Sequence, residues 1–268
     1  MKDKVVVITG ATSGIGKALA YEFAAKGSKV VIGARRHDLL IEIAEDIKLK
    51  GGDVAYAAVD VSKETDCKNL IVTAVERFGK IDVLINNAGI SMRALFDEVD
   101  LDVIRKLMDV NFWGTVYCTK YALPHLLKEK GSVVGVSSIA GIKGLPGRTG
   151  YSASKFAMKG LLECIRIENL KKGLHVLMAY PGFTSSNIRN TSLTADGSQQ
   201  GESPRDEGKM MSAEEVADHI YRAVKRRKNS LVLTTQGKLT VWVNKFFPNW
   251  LDKMVYKEMA KEPDSPFK

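Results

Sequence analysis

The chain has 268 residues, of which 45% are hydrophobic and 26% charged, and its formal net charge is +9 at pH 7. These values are ordinary for a globular protein with a sizeable core, and no apolar run reaches the roughly 18 residues of a membrane-spanning helix. The one basic cluster, 225–228, closes a predicted helix, where cations suit the helix dipole, so nucleic-acid binding is not predicted.

Short β-branched apolar runs alternate with longer amphipathic stretches along the chain. The runs predict strands at 5–9, 29–33, 53–59, 83–86, 132–137, 174–179 and 230–234. The amphipathic stretches predict helices at 15–26, 37–50, 63–78, 99–128, 151–171 and 213–227. Nearly continuous apolar strands suit a sheet buried on both faces. The alternation therefore predicts one α/β domain with a seven-stranded parallel sheet built from right-handed βαβ units.

A glycine-rich turn joins the first strand to the first long helix and contains Gly10, Gly14 and Gly16. Glycines there allow a tight turn and let a pyrophosphate approach the backbone, while the helix N-terminus stabilises its charge. The spacing is Gly-x-x-x-Gly-x-Gly rather than the Gly-x-Gly-x-x-Gly of many dinucleotide folds. Phosphate binding is predicted, with an ordinary strand-to-helix turn as the alternative.

The end of the second strand indicates which dinucleotide binds. An acidic residue there would hydrogen-bond the adenosine ribose and repel a 2′-phosphate. The chain instead has Arg35 and Arg36 and no acid before Asp38. Arginine forks suit phosphate, so NADP(H) is predicted over NAD(H). The alternative is a solvated arginine pair at the start of a helix.

Tyr151 and Lys155 are four residues apart, which places them on one face of a helix. A neighbouring cation lowers the pKa of a phenol, bringing it towards the range useful for proton transfer. Ser138, thirteen residues before Tyr151, adds a hydroxyl able to hydrogen-bond the same substrate oxygen. Taken alone, the pair is also compatible with an exposed helix turn.

With these motifs in order, the chain resembles the short-chain dehydrogenase/reductase family over about residues 4–235. The resemblance implies a doubly wound Rossmann fold with a cofactor-binding and catalytic domain at 1–235 and a helical extension of the same domain at 236–268. The matching residues, in chain order, are the turn 9–16, Asp60 and Val61, Asn86 to Gly89, Asn111, Ser138, Tyr151, Lys155, Pro181 and Gly182.

The resemblance also implies roles. Tyr151 would protonate the carbonyl oxygen in reduction, Lys155 would lower its pKa and bind the nicotinamide ribose, and Ser138 would orient the substrate oxygen. Asn111 would hold a water in a proton relay to Lys155. Implied cofactor contacts are Gly10, Thr12, Ser13, Gly14, Ile15, Gly16, Arg35, Arg36, Asp60, Val61, Asn87, Ala88, Gly89, Tyr151, Lys155, Pro181, Gly182, Phe183 and Thr184.

Three positions carry qualifications. Many NADP-preferring relatives have a basic residue where this chain has Ser13, so the predicted preference rests on Arg35 and Arg36. Thr9 and Asn87 have an alternative structural role, in which they pin loops to the sheet edge.

Substrate contacts are predicted from the loops 90–96, 139–148 and 183–211. The first two are mainly apolar, which favours a hydrophobic or lipid-like ketone or aldehyde, with packing of the loop bases as the alternative. Lys143 and Arg148 are predicted to be solvated, with contact to an acidic group as the alternative. Beyond the sheet, large apolar residues recur at helical spacing in 236–260, and Pro248 divides this tail into two pieces. The tail has three candidate roles: core packing or dimer contact, a lid over the pocket, and peripheral contact with a membrane.

The predicted activity is that of an NADPH-dependent reductase. Alternatives are an NAD(P)-dependent secondary alcohol dehydrogenase and a non-catalytic dinucleotide sensor, although the complete catalytic set argues against a sensor.

The resemblance implies a homodimer or homotetramer that pairs through 99–128 and 151–171. The scattered cysteines Cys67, Cys118 and Cys164 predict reduced thiols, a cytoplasmic location and no metal site, and no signal peptide is predicted.

Overall fold

A single parallel sheet forms the centre of the computed structural model, which describes residues 1–184, 188–201, 210–261 and 265. Within these ranges the sheet has seven strands in the order β3-β2-β1-β4-β5-β6-β7. They are β1 (Val5–Thr9), β2 (Lys29–Ala34), β3 (Val54–Ala58), β4 (Val83–Asn86), β5 (Ser132–Val136), β6 (His175–Tyr180) and β7 (Ser230–Val232). The predicted seven-stranded parallel sheet is confirmed. The strand order reverses between β1 and β4, which opens a crevice at the carboxyl ends of the strands.

Helices cover both faces of the sheet. They are α1 (Gly14–Ala25), α2 (His37–Leu49), α3 (Glu64–Phe78), α4 (Leu101–Leu107), α5 (Gly114–Lys128), α6 (Thr149–Glu168), α7 (Ala213–Lys225), α8 (Thr235–Phe246) and α9 (Pro248–Ala260). Alternate residues of β1 point to opposite faces: Val6 and Ile8 join a core with α1, α2 and α7, while Val5 and Val7 join one with α3, α5 and α6. Both faces are therefore buried, as the apolar strands require.

The helix predicted at 99–128 contains an interruption. Helix α4 ends at Leu107, the segment Met108–Trp113 forms a π-helical turn, and α5 continues from Gly114. A π-turn carries one extra residue, and such turns often occur at functional sites. Asn111, one of the candidate catalytic residues, lies in this turn and is fully buried.

The last strand and the tail differ slightly from their predicted bounds. Strand β7 ends at Val232 rather than 234, because Thr234 adopts a φ of 64° and its hydroxyl accepts a hydrogen bond from the Gly237 N–H at 3.0 Å, which starts α8. The predicted division of the tail is confirmed, since Pro248 begins α9. The boundary between a domain at 1–235 and its extension stays a prediction.

Asp82 ties the start of β4 to β1. Its carboxylate accepts hydrogen bonds from Lys4 Nζ at 2.7 Å and the Val5 N–H at 2.9 Å, and Lys80 Nζ lies 3.1 Å away. Burial raises the pKa of Asp82, but these donors and charges more than offset it, so the pKa lies below its ordinary value. The resulting stabilisation is present above the pKa of the unfolded chain and is lost as the pH falls through the folded pKa.

We expect Asp82→Asn to lower the free energy of unfolding at neutral pH by about 2 kcal/mol, because an amide cannot satisfy the same donors. Denaturant unfolding at neutral and acidic pH measures the change, and the difference from wild type should shrink in acid. Asp102→Asn is the control, since that side chain is 89% exposed and should change stability little. A loss that is equal at both pH values would contradict a role for the carboxylate charge.

Candidate active site

Tyr151 and Lys155 lie one turn apart on α6, and both are buried: Tyr151 is 9% exposed and Lys155 is 3% exposed. The Lys155 ammonium donates to the Val136 carbonyl at the end of β5, at 3.0 Å, and lies 5.8 Å from the centroid of the Tyr151 ring. In the described part of the chain it has no acidic partner. Burial lowers its pKa to about 8. Because the ammonium makes one hydrogen bond, to Val136, its other N–H donors are available to a ligand.

The pKa of Tyr151 differs from the simple expectation. Burial raises it above its ordinary value, and this effect outweighs the opposing effects of a hydrogen bond with Ser138 and the charge of Arg148. Lys155 is not among the groups that offset the burial: its ammonium donates to Val136 and lies over the face of the ring, 5.8 Å from the centroid. In the chain by itself, Tyr151 is thus a neutral phenol at physiological pH, suited to donating a proton.

Ser138 completes the group from the other side. It follows β5, caps a short 3-10 turn at Ile139–Gly141 by accepting from the Ala140 N–H at 3.2 Å, and its hydroxyl opposes the rise in the pKa of Tyr151. The strand and the helix are held together here by the bond from Lys155 to the Val136 carbonyl at the end of β5. The structure therefore brings together Ser138, Tyr151 and Lys155 as predicted.

Asn111 is held by three hydrogen bonds from its side chain. Its Oδ1 accepts from the Ile90 N–H at 2.8 Å, and its Nδ2 donates to the Ile90 carbonyl at 3.0 Å and to Ser154 Oγ at 2.9 Å. Ser154 in turn donates to the Tyr151 carbonyl at 2.8 Å. The amide thus fixes the loop after β4 against α6. Sequence reasoning missed Ser154, although it lies between Tyr151 and Lys155.

The glycine-rich turn is closely packed. A Cβ on Gly16 would lie 2.2 Å from the Gly10 carbonyl oxygen, and one on Gly10 would lie 2.8 Å from Ala88 Cα. Gly10 and Gly14 also have φ values of 67° and 50°. Ser13 makes no side-chain cap, so the N–H groups at the start of α1 are open to a ligand. Such a cradle, left clear of side chains at a helix N-terminus, fits a pyrophosphate.

The loop after β4 meets this turn because Ile8 of β1 lies opposite Ile85 of β4. Thr9 Oγ1 accepts from the N–H groups of Asn87 and Ala88 at 3.1 and 3.0 Å, and Asn87 Nδ2 donates to the Thr9 carbonyl at 2.9 Å. Thr9 and Asn87 therefore have the structural role considered from the sequence. Cofactor contact by Asn87 and Ala88 stays a prediction.

Gly89 lies against the catalytic residues. A Cβ at this position would be 3.1 Å from Asn111 Oδ1 and 3.3 Å from Lys155 Nζ. A side chain would crowd the space that leads to the lysine, so glycine keeps this part of the crevice open.

The arginine pair follows β2 and is exposed. Arg36 donates to Thr12 Oγ1 at 3.0 Å, which holds it beside the glycine-rich turn. Asp60 is the acidic residue predicted to contact the cofactor. Its Oδ1 accepts hydrogen bonds from the Ser62 N–H at 3.1 Å and from the Ser62 hydroxyl at 2.7 Å. Burial raises the pKa of Asp60, but the bonds from Ser62 and the charges of Arg35 and Lys63 bring it below its ordinary value. Asp60 is therefore an anion, and Val61 beside it is buried against Gly114.

Pro181, Gly182, Phe183 and Thr184 follow β6 at the same edge of the sheet. A Cβ on Gly182 would lie 2.6 Å from Thr234 Oγ1, so the segment passes close to the start of α8. Thr184 is buried, and its hydroxyl donates to the Gly182 carbonyl at 3.3 Å, whereas Phe183 is 38% exposed. Parts of the predicted substrate loop, 185–187 and 202–209, lie outside the described residues.

The other two predicted substrate loops pack more tightly than expected. Met92 is fully buried and belongs to a third apolar cluster, which includes Tyr151, Leu107 and Leu193. The expectation that Arg148 and Lys143 are solvated is wrong. Arg148 donates to the Met92 carbonyl at 3.1 Å, and Lys143, whose side chain is 12% exposed, pairs with Asp252 of α9.

Comparison with known proteins agrees with this geometry. The model of the short chain dehydrogenase family matches residues 4–196. An 11-beta-hydroxysteroid dehydrogenase-like protein 4A of Arabidopsis thaliana is 36% identical over 253 residues, covering 94% of this chain and 83% of that protein. Dehydrogenase/reductase SDR family member 7B of Mus musculus is 33% identical over 271 residues, covering 99% of this chain and 84% of that protein. The chain belongs to the short-chain dehydrogenase/reductase family and is an oxidoreductase of alcohol or carbonyl groups, so the predicted family is confirmed.

Solved structures share the fold. An alcohol dehydrogenase from Thermococcus sibiricus, complexed with 5-hydroxy-NADP, matches with a TM-score of 0.76 at 26% identity, covering 86% of this chain and 94% of that one. A short-chain dehydrogenase/reductase from Burkholderia phymatum, in complex with NAD, matches with a TM-score of 0.82 at 24% identity, covering 93% and 95%. Among the described residues, no helix has the length and apolar character to cross a bilayer, and no cluster of potential metal ligands occurs.

Proposed function

We propose that the protein is an NADP(H)-dependent reductase of hydrophobic ketones or aldehydes. The observation that carries this proposal is the group formed by the half-buried Ser138 and the buried Tyr151 and Lys155 at the carboxyl edge of β5, beside a glycine-rich turn that fits a pyrophosphate. A proton donor, a cation and a phosphate cradle in one crevice are what carbonyl reduction by a dinucleotide requires.

A nicotinamide dinucleotide fits the residues present. The open N–H groups of α1 would hold its pyrophosphate, the free N–H donors of Lys155 its nicotinamide ribose, and the exposed Arg35 and Arg36 a 2′-phosphate. The arginines support NADP(H), as does the similarity to a dehydrogenase solved with an NADP derivative. When bound, the reduced cofactor supplies the hydride.

The chain's own residues then deliver the proton. The Ser138 hydroxyl is near enough to Tyr151 to affect its pKa, so a carbonyl oxygen placed between the two hydroxyls would accept from both. Tyr151 is neutral because burial raises its pKa, and it gives its proton to the oxygen as negative charge develops there. Lys155 would hold the nicotinamide ribose beside this phenol, since its ammonium lies 5.8 Å from the centroid of the Tyr151 ring. Asn111 fixes Ile90 and Ser154 around this group.

The substrate is proposed to be hydrophobic and lipid-like. Tyr151 belongs to an apolar cluster formed with Met92, Leu107 and Leu193, and several relatives carry 11-beta-hydroxysteroid dehydrogenase names. We expect NADPH consumption with ketones graded by chain length and ring size to give the highest kcat/KM for long or polycyclic compounds. Each buried methylene contributes up to about 0.8 kcal/mol, or about fourfold in kcat/KM. A flat profile, or a preference for short polar ketones, would contradict the lipid-like substrate.

The pH dependence of reduction follows from Lys155. Its pKa is lowered to about 8 by burial, so the ammonium is charged below that value and becomes neutral as the pH rises through it. We therefore expect kcat/KM for NADPH to be level at neutral pH and to fall about tenfold for each pH unit above about 8, because one proton is lost. Initial rates with one soluble ketone measure the profile. A rate that rises through pH 8 would contradict the role of the charged lysine.

Two further expectations stay predictions. A homodimer or homotetramer would pair through the regions of α4 to α5 and of α6, which expose Trp113, Phe156 and Ile167 by 42% to 62%. A cytoplasmic location rests on the cysteines, all three of which are free thiols in the structure.

A further inference from the structure

Two consecutive helices at the C-terminus expose large apolar side chains. Six of them, each between 40% and 59% exposed, form what we call the C-terminal apolar surface: Leu239, Trp242, Phe246, Phe247, Trp250 and Met254. The rings of Trp242 and Phe246 contact each other, with centroids 5.4 Å apart. Exposed apolar side chains that lie close together often mark an interaction site, whereas single scattered ones do not.

The helices are already packed through their other sides. Leu239, Trp242 and Phe246 follow an i, i+3, i+7 spacing and share one face of α8. Gly237 is buried on the opposite face, and Val243 is buried at the border of the exposed face. On α9, Leu251 and Met259 are buried. The apolar surface is therefore not the inner face of a detached tail, because both helices have a separate buried side.

Positive charge surrounds the apolar side chains. Lys238, Lys245, Lys253 and Lys257 are exposed, and the ammonium of Lys245 lies 5.5 Å from the centroid of the Phe246 ring. The two acidic residues of these helices are paired elsewhere, Asp252 with Lys143 and Glu258 with Lys261. Within the described ranges none of the four lysines forms an ion pair, so their charge is available to an external anion.

We propose that the C-terminal apolar surface docks on an anionic lipid bilayer. Tryptophan, phenylalanine and lysine together suit the boundary between headgroups and acyl chains, where rings enter the apolar layer and ammonium groups stay among anionic headgroups. A second copy of the chain is a poorer occupant, since a symmetric contact places the same patch against itself and would bring the lysines of both copies together. A lid is also disfavoured, because these side chains face solvent.

The docked helices would also touch the active-site loop. Lys143 pairs with Asp252, and Asn244 Nδ2 donates to the Ile142 carbonyl at 3.4 Å, so α8 and α9 hold the segment that follows Ser138. Docking would therefore place this loop close to the membrane, where an apolar ketone is concentrated. This second point rests on the proposed function, whereas lipid binding itself does not.

Co-sedimentation of the full chain with vesicles tests the proposal in the absence of cofactor and substrate. We expect binding to phosphatidylcholine vesicles that contain phosphatidylserine, weak binding to phosphatidylcholine alone, and release at high salt. Trp242→Ser with Trp250→Ser, and separately Lys245→Glu with Lys253→Glu, should each weaken binding about tenfold or more.

Two matched controls test whether any surface change has this effect. Leu49→Ser removes an apolar side chain that is 87% exposed at the end of α2, and Lys171→Glu with Lys172→Glu reverses two exposed charges after α6. Both should bind vesicles like wild type, and all variants should keep the wild-type melting temperature. The proposal is overturned if wild type binds neither kind of vesicle, or if the tryptophan variant instead changes the mass measured by sedimentation equilibrium. Because no turnover is measured, this result is independent of the reductase assay.

Discussion

Tyr151→Phe is expected to lower kcat for ketone reduction by about 10³-fold while leaving the NADPH dissociation constant unchanged. The substitution removes one oxygen from a buried ring and keeps its packing in the apolar cluster with Met92 and Leu107. What is lost is the hydroxyl that we propose as the proton donor, together with its interaction with Ser138. Single-turnover rates give the chemical step, and fluorescence titration with NADPH gives the affinity.

Tyr221→Phe is the matched control for this variant. Tyr221 is also buried, in α7 within the core that α1 and α2 share, and its hydroxyl accepts a hydrogen bond from the N-terminal amine at 3.3 Å. It should keep wild-type turnover. Turnover by Tyr151→Phe within about tenfold of wild type, with NADPH still bound, would show that another group donates the proton. Loss of both turnover and NADPH binding would indicate that the substitution disturbs the crevice.

The arrangement of the site could be predicted because its parts lie at the ends of strands. Gly10, Asn87, Ser138 and Pro181 each follow an apolar run, and the carboxyl ends of parallel strands meet at one edge. The register of β1 against β4 then brings the loops at Gly10 and Asn87 into direct contact, as the bonds from Asn87 to Thr9 show. The apolar pattern of each strand was sufficient to predict where the site lies, because each strand is recognised from its own residues.

Features that depend on distant partners were not predictable. Lys143 and Arg148 look like solvated charges in a polar segment, yet Lys143 pairs with Asp252, more than 100 residues away, and Arg148 bonds to Met92. The π-helical turn at Asn111 leaves no clear mark on the apolar periodicity of 99–128. It is stabilised by tertiary contacts, including the bonds between Asn111 and Ile90.

The pKa of Tyr151 illustrates the same limit. The spacing of Tyr151 and Lys155 indicates only that a cation is near, which would lower the pKa of the phenol. Burial is a property of the whole fold, and it raises the pKa of Tyr151 and lowers that of Lys155 to about 8. The proposed reduction uses the form of Tyr151 that this balance favours. A neutral phenol favours reduction at physiological pH, and oxidation of an alcohol would need the phenolate.

Replacing both arginines, Arg35→Ser with Arg36→Ser, is expected to weaken NADPH binding about 100-fold and to change NADH binding little. Each charge-assisted hydrogen bond to a phosphate contributes about 1.5 kcal/mol or more, or about tenfold in affinity. NADH lacks the 2′-phosphate, so it has no such bond to lose. Titration of wild type and variant with both cofactors measures the four dissociation constants, and the preference of wild type for NADPH should fall as salt is added.

Two controls separate phosphate recognition from other effects of the arginines. Arg105→Ser removes an exposed arginine, 69% accessible and paired with Asp102, and should leave both affinities unchanged. Thr12→Val removes the acceptor that holds Arg36 by the glycine-rich turn but keeps both charges, so it should weaken NADPH binding less than the double variant. If wild type binds NADPH and NADH equally, the two arginines do not recognise the 2′-phosphate. In that case the anionic Asp60, whose charge Arg35 partly offsets, would be the remaining polar contact on the adenosine side.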